Sequence, residues 1–320
     1  MKSRSANPPY APDTDARGRF VRSESRFRNW ITADGAPGPS GDGGFPAAAD
    51  RYHLYVALNC PWAHRTLIFR KIKRLETLIG VSVVLPWRGP QGWAFGEYPG
   101  STPDEVNGFR TLREAYLAAD PGYDGRVTVP VLWDKRERTI VSNESSEIIR
   151  MFNSAFAAFT DDGVDYYPER LRPQIDAINA LVYANVNNGV YRAGFARSQE
   201  AYEEAFDDLF GTLDELEARL GRQSYLAGGR VTEADWRLFP TLVRFDAAYY
   251  GAFKCNRNRL VDFPNLWSYT RALYQWPGVA ETVNLDHIKQ GYWHIESVNP
   301  SGIVPLGPRL DFTAPHDRGA

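Results

Sequence analysis

The chain has 320 residues, 43% of them hydrophobic and 24% charged, with 37 basic and 39 acidic side chains and a formal net charge of -2. That is the length of two ordinary domains and the composition of a soluble globular protein, with no electrostatic hold on nucleic acid or an anionic membrane. No apolar run reaches the ~18 residues of a membrane span, and the N-terminus lacks the apolar stretch of a secretory signal. Two cysteines, Cys60 and Cys255, make no disulfide framework and suit a reducing cytoplasm, the expected location.

Residues 1–50 are rich in Gly, Pro, Ala and Asp and read as an extended arm, with Arg26–Ile31 as the one part able to dock on a surface. From Arg51 strand and helix alternate. Tyr52–Leu58 reads as a strand, Ala63–Ile79 as a helix and Val81–Leu85 as a second strand. Residues 86–103 form a long aromatic loop, and Asp104–Ala118 reads as a helix. Thr128–Trp133 and Thr139–Val141 read as a hairpin, and a helix starts within Ser142–Glu147. This is an α/β layer spanning residues 51–152. Beyond Phe152 the strand signal ends. Helical periodicity runs through Pro173–Asn185, Ser198–Leu220, Glu233–Tyr249 and Leu266–Gln275, giving an all-α unit over residues 153–298. Thr232-Glu-Ala-Asp235 predicts a capping box. Residues 299–320 are Pro/Gly-rich and read as a tail laid along the surface.

The chemistry centres on Cys60. It ends an apolar strand and is followed by Pro61, whose missing N–H costs nothing in the first turn of a helix. Free amides and the helix dipole at such a corner favour a thiolate. Ala63 occupies the place a resolving cysteine would take in Cys-x-x-Cys, so a one-cysteine site needs an external thiol to complete its turnover. Val129-Pro130 interrupts a strand-like run, which an edge position or a cis bond resolves. Glu144-Ser145 opens a helix, where gathered amides and the Ser145 hydroxyl suit a carboxylate and Glu144 suits an ammonium. No convincing metal-ligand spacing or phosphate-binding glycine fingerprint is present.

Cys60-Pro-Trp-Ala after a first strand, Val129-Pro130, Asn143-Glu-Ser-Ser146 and a helical half with the Thr232–Asp235 box resemble a glutathione transferase over residues from about 50 to 295. The motifs Cys60–Arg65, Gly92–Phe95, Asn187–Ala196 and His287–Tyr292 are similar to the Xi class, the glutathionyl-hydroquinone reductases. The resemblance implies a thioredoxin-like N-terminal domain, an all-α C-terminal domain and a homodimer. It implies glutathione as co-substrate with no permanently bound cofactor, and a glutathionyl-hydroquinone as the other substrate, ring substituents such as halogens left open. By family position Cys60 is the nucleophile, and Trp93, Arg126, Val129, Glu144 and Ser145 hold glutathione. Tyr191 and Tyr292 face the hydroquinone. His64 and Arg65 are expected to be structural, pairing with the helical half. A cysteine-type thiol transferase or dehydroascorbate reductase is the rival reading, and a non-catalytic binding module the remaining one.

Overall fold

The computed structural model describes residues 13–318. The arm is more structured than its composition implies. It carries a short hairpin of β1 (Asp13–Thr14) and β2 (Phe20–Val21), then a parallel pair of β3 (Trp30–Thr32) and β4 (Gly44–Pro46). The central sheet holds β5 (Tyr52–Val56), β6 (Ile79–Val83), β7 (Val131–Asp134) and β8 (Thr139–Ser142), in the order β6-β5-β7-β8. Strands β5 and β6 are parallel across helix α1 (Pro61–Ile72), whereas β7 pairs antiparallel with both β5 and β8. The exposed edge of β8 is a template for unwanted pairing. The arm covers it: Asn29 N–H donates to Val141 O at 3.0 Å, and Asn143 N–H to Phe27 O at 3.0 Å.

Helix α1 starts at Pro61, two residues before the expected Ala63, with Cys60 as its N-cap. It ends at Ile72 rather than Ile79, because Arg74 turns the chain through φ 55° and Leu75 N–H bonds back to Arg70 O. Its buried residues lie on more than one face, as a helix clamped between a sheet and a helical layer requires. Helix α2 (Leu112–Ala119) begins eight residues later than expected. Asp104 does not open it. The Asp104 carboxylate instead accepts from the amides of Val106, Asn107 and Phe109 and from the Tyr55 hydroxyl, closing a turn. The box that starts the helix is Thr111 with Glu114. Helix α3 (Ser145–Ser154) has Glu144 as N-cap.

The second half is helical: α4 (Arg172–Val182), α5 (Gly189–Gly194), α6 (Gln199–Leu220), α7 (Glu233–Leu242), α8 (Tyr250–Ala252), α9 (Pro264–Tyr274) and α10 (Leu285–Trp293). The expected box stands at α7, where Thr232 N–H donates to Asp235 Oδ2 at 2.7 Å. The continuous helix expected over Glu233–Tyr249 is broken. The Pro240 carbonyl accepts from the Arg244 side chain at 2.8 Å, while Arg244 N–H turns to Thr241 O. A wide π-helical turn, Phe245–Tyr249, follows. A second such turn, Tyr183–Asn187, links α4 to α5. Among the described residues no helix is long and apolar enough to cross a membrane.

Candidate active site

The site lies where α1 meets the helical half. Arg244 is fully buried and faces the chain just before Cys60. Its guanidinium donates to Asn59 O at 2.9 Å, Leu58 O at 2.8 Å and Pro240 O, and approaches His64 Nδ1 at 2.9 Å. The expected bracing by His64 and Arg65 is present. His64 Nε2 lies 2.8 Å from Thr282 Oγ1, and Arg65 donates to Asn187 Oδ1 at 2.6 Å and Arg237 O at 3.0 Å. Burial and the Arg244 charge hold His64 well below the usual histidine range, so it stays neutral. From the other side Gly291 of α10 presses on Asn59, where a methyl at 291 would stand 2.0 Å from Asn59 Nδ2. The Cys60 corner is thus gripped by α7, its following turn, and α10.

Cys60 is half-buried, and its Sγ lies 3.6 Å from the Val129 carbonyl, just before the cis Val129–Pro130 bond. It makes no side-chain hydrogen bond to the amides of α1. Cys255 is fully buried in the helical half, and burial pushes its thiol up, which leaves it unreactive.

Glu144 accepts from Ser146 N–H at 3.0 Å, from Ser146 Oγ at 2.8 Å and from the arm's Ser25 Oγ at 3.0 Å. Burial opposes its charge, but the bonds from Ser146 and Ser25 and the Arg65 charge prevail and hold the carboxyl below its usual value. Ser145 is buried at the first position of α3. Arg126 pairs with Asp13 of the arm at 2.9 Å. Trp93 is 3% exposed, with the Arg88 guanidinium 4.6 Å from its ring centroid.

Tyr191 of α5 and Tyr292 of α10 stand 101 residues apart in sequence, yet their hydroxyls are 2.6 Å apart. Tyr249 completes the group, its hydroxyl 2.8 Å from that of Tyr292. Burial raises all three phenols above their ordinary value, and a negative Cys60 raises Tyr191 further, so all three keep their protons at neutral pH. Trp62, two residues after Cys60, stacks on Tyr191 at 6.4 Å. The arm supplies Arg22, whose guanidinium lies 4.6 Å from the Trp62 ring and 5.0 Å from Tyr191 while donating to Asn188 Oδ1. Sequence reasoning missed Tyr249, Arg22, Ser25, Arg88 and Arg244. Tyr249 sits in an apolar aromatic run that marks it no differently from Tyr250, and the arm residues carry no periodicity.

A glutathione S-transferase N-terminal domain model matches residues 59–155, and a C-terminal domain model residues 199–272. Glutathionyl-hydroquinone reductase YqjG of Escherichia coli is 56% identical over 94% of this chain and 92% of its own length. Its glutathione-bound structure superposes with a TM-score of 0.90, covering 91% of this chain and 96% of that one. Glutathionyl-hydroquinone reductase PcpF of Sphingobium chlorophenolicum is 53% identical over 91% of this chain and 90% of its length. The Xi class structure from Natrialba magadii, 51% identical, gives a TM-score of 0.87 over 91% of this chain and 88% of that one. The chain belongs to the Xi-class glutathione transferases, the glutathionyl-hydroquinone reductases. With that kinship the sheet and its helices are the thioredoxin-like part of a glutathione transferase, and the helices after Phe152 its all-α part.

Proposed function

We propose that this Xi-class enzyme reduces glutathionyl-hydroquinones to hydroquinones at the expense of glutathione. The observation that carries the reading is the joined trio of protonated phenols beside the Cys60 corner. Exchange between disulfides needs no proton on carbon; release of a hydroquinone ring does.

In the first step the Cys60 thiolate attacks the sulfur of the adduct. The S–S bond of a Cys60–glutathione mixed disulfide forms and the ring C–S bond breaks. Its electron pair goes to the ring carbon, which takes a proton from Tyr191 or Tyr292. The proton that the second glutathione thiol gives up on ionising restores the tyrosine, whose hydroxyl stays bonded within the trio. In the second step a glutathione thiolate attacks the mixed disulfide, releasing glutathione disulfide and the Cys60 thiolate. The ring gains two electrons and two glutathionyl sulfurs lose them.

In this reading Glu144, held ionised, takes the ammonium of glutathione, and the start of α3 with Ser145 takes the adjacent carboxylate. Trp93, Arg126 and the Val129 backbone complete the cradle. We read residues 51–152 and 153–298 as the two domains and the chain as a homodimer, which sedimentation velocity checks. The deciding assay sets a glutathionyl-hydroquinone beside dehydroascorbate and a small mixed disulfide. Cys60→Ser abolishes reduction and keeps glutathione binding. A Tyr191→Phe, Tyr292→Phe double variant loses hydroquinone release far more than disulfide exchange. Full activity in Cys60→Ser refutes the scheme, and an unaltered double variant refutes the tyrosines' part in it.

A further inference from the structure

Among the described residues, a cation next to Trp93 of the cradle has no task in it. Arg88 stands in the loop between β6 and α2. That loop is closed tightly after Arg88: Gly89 and Gly92 exchange two backbone hydrogen bonds at 2.9 Å, with Gly92 at φ 86°. A third backbone bond, Leu85 N–H to Ala94 O at 2.8 Å, ties the two ends of the loop segment together. The guanidinium carbon lies over the buried Trp93 ring, 4.6 Å from its centroid, a contact that uses none of its N–H donors. Among the described residues it makes no hydrogen bond or ion pair.

The surroundings of Arg88 are specific. Its side chain is solvent-accessible, yet protein atoms crowd the head group. The resulting desolvation weakens its hold on its proton; a negative Cys60 strengthens it, and Arg126 opposes. Tyr191 and Tyr292 are the other groups that act on it. No carboxylate is among these chief influences. The loop sets this guanidinium over Trp93 and next to Trp87, whose ring lies 5.5 Å from that of His294, the residue capping α10 two positions after Tyr292. An unpaired guanidinium there lacks a planar anionic oxygen pair. Arg126 already stands in the place that family position gives to glutathione, which leaves Arg88 for the acceptor.

On the reading of the reaction given above, we propose that Arg88 is a specificity-determining residue that receives a carboxylate carried on the hydroquinone ring, so that the enzyme favours anionic glutathionyl-hydroquinones over neutral ones. Arg88 fixes the ring by a two-toothed contact with that carboxylate, while Tyr191 and Tyr292 serve the carbon losing sulfur. The glycyl carboxylate of glutathione offers the same chemistry, and the test separates the two sources.

Steady-state kcat/KM is measured for the glutathionyl adduct of 2,5-dihydroxybenzoate and for that of unsubstituted hydroquinone, in wild type, Arg88→Gln and Arg88→Lys. The expected result is a preference of wild type for the carboxylated adduct that falls tenfold or more in Arg88→Gln and is partly restored in Arg88→Lys. A preference unchanged by Arg88→Gln overturns the proposal. So does a rise in KM for glutathione with an equal loss on both adducts, which assigns Arg88 to glutathione instead. A binding measurement in the Cys60→Ser background, with S-(carboxyphenyl)glutathione against S-phenylglutathione, reads the same ratio without turnover. If wild type turns over neither adduct, the proposed reaction fails, and the binding ratio still decides on Arg88.

Discussion

Replacing Gly291 by Ala tests whether α10 holds the Cys60 corner in place. A methyl group at 291 would meet Asn59 at three atoms: Nδ2 at 2.0 Å, Cγ at 2.5 Å and Cβ at 2.6 Å. Rotation about χ1 clears the first two but not Cβ, which is fixed to the backbone. Since ordinary contact begins near 3.4 Å, Asn59 Cβ must retreat by about 0.8 Å, or α10 must. Neither is free to do so. The Asn59 carbonyl is bonded to Arg244, and the next residue on α10, Tyr292, is bonded to two other tyrosines. Overpacking of this kind costs roughly 1–3 kcal/mol. Gly291→Ala therefore lowers unfolding free energy in urea by about that amount, and changes the rate of Cys60 alkylation by iodoacetamide. Gly211→Ala is the control. Gly211 lies within α6 with open space beside it, so the same change there stabilises by up to about 1 kcal/mol. Should Gly291→Ala hold wild-type stability within ~0.5 kcal/mol and keep the wild-type alkylation rate, the claim that α10 grips the corner is refuted.

Arg244→Met strands the carbonyls of Leu58, Asn59 and Pro240 in the interior, and urea unfolding is expected to show a loss above about 3 kcal/mol, which Arg244→Lys only partly restores. Acid destabilises the fold through its buried histidines. Burial lowers His53 from 6.5 to about 4, and His64 is lowered too. Below pH 6.5 the unfolded chain therefore takes protons that the folded chain refuses, and stability present above pH 6.5 is lost as pH falls. Each histidine contributes about 1.4 kcal/mol per pH unit in that window. Urea midpoints at pH 7.5, 6 and 5 check this, a flat profile counting against it and His53→Gln reducing the slope. Ser25→Ala removes the arm's bond to Glu144, so KM for glutathione rises roughly fivefold, as loss of ~1 kcal/mol implies, with kcat little changed. An unchanged KM means that the arm does not tune the cradle.

Where a local rule had one outcome, the sequence was readable. Pro61 after Cys60 announced a helix start, and Thr232 with Asp235 announced α7. Where two local signals competed, it misled. Asp104 looked like the start of a helix, but its carboxylate closes a turn, and the helix starts after Thr111 instead. The helical pattern over Glu233–Tyr249 concealed the break at Arg244, whose side chain joins the Pro240 carbonyl of its own helix to the carbonyls before Cys60.

The succession of strands and helices along the chain, the single sulfur at a helix start and the family motifs around it are local facts, written in neighbouring residues. They point to the thioredoxin-like and all-α halves and single out Cys60 as the candidate nucleophile. The company Cys60 keeps is non-local. Tyr249 joins Tyr292 across 43 residues, Ser25 reaches Glu144 across 119, and Arg244 reaches Asn59 across 185. Such contacts depend on how the two halves and the arm dock against one another. Docking is set by the summed packing of many side chains, and no short stretch of chain encodes that sum.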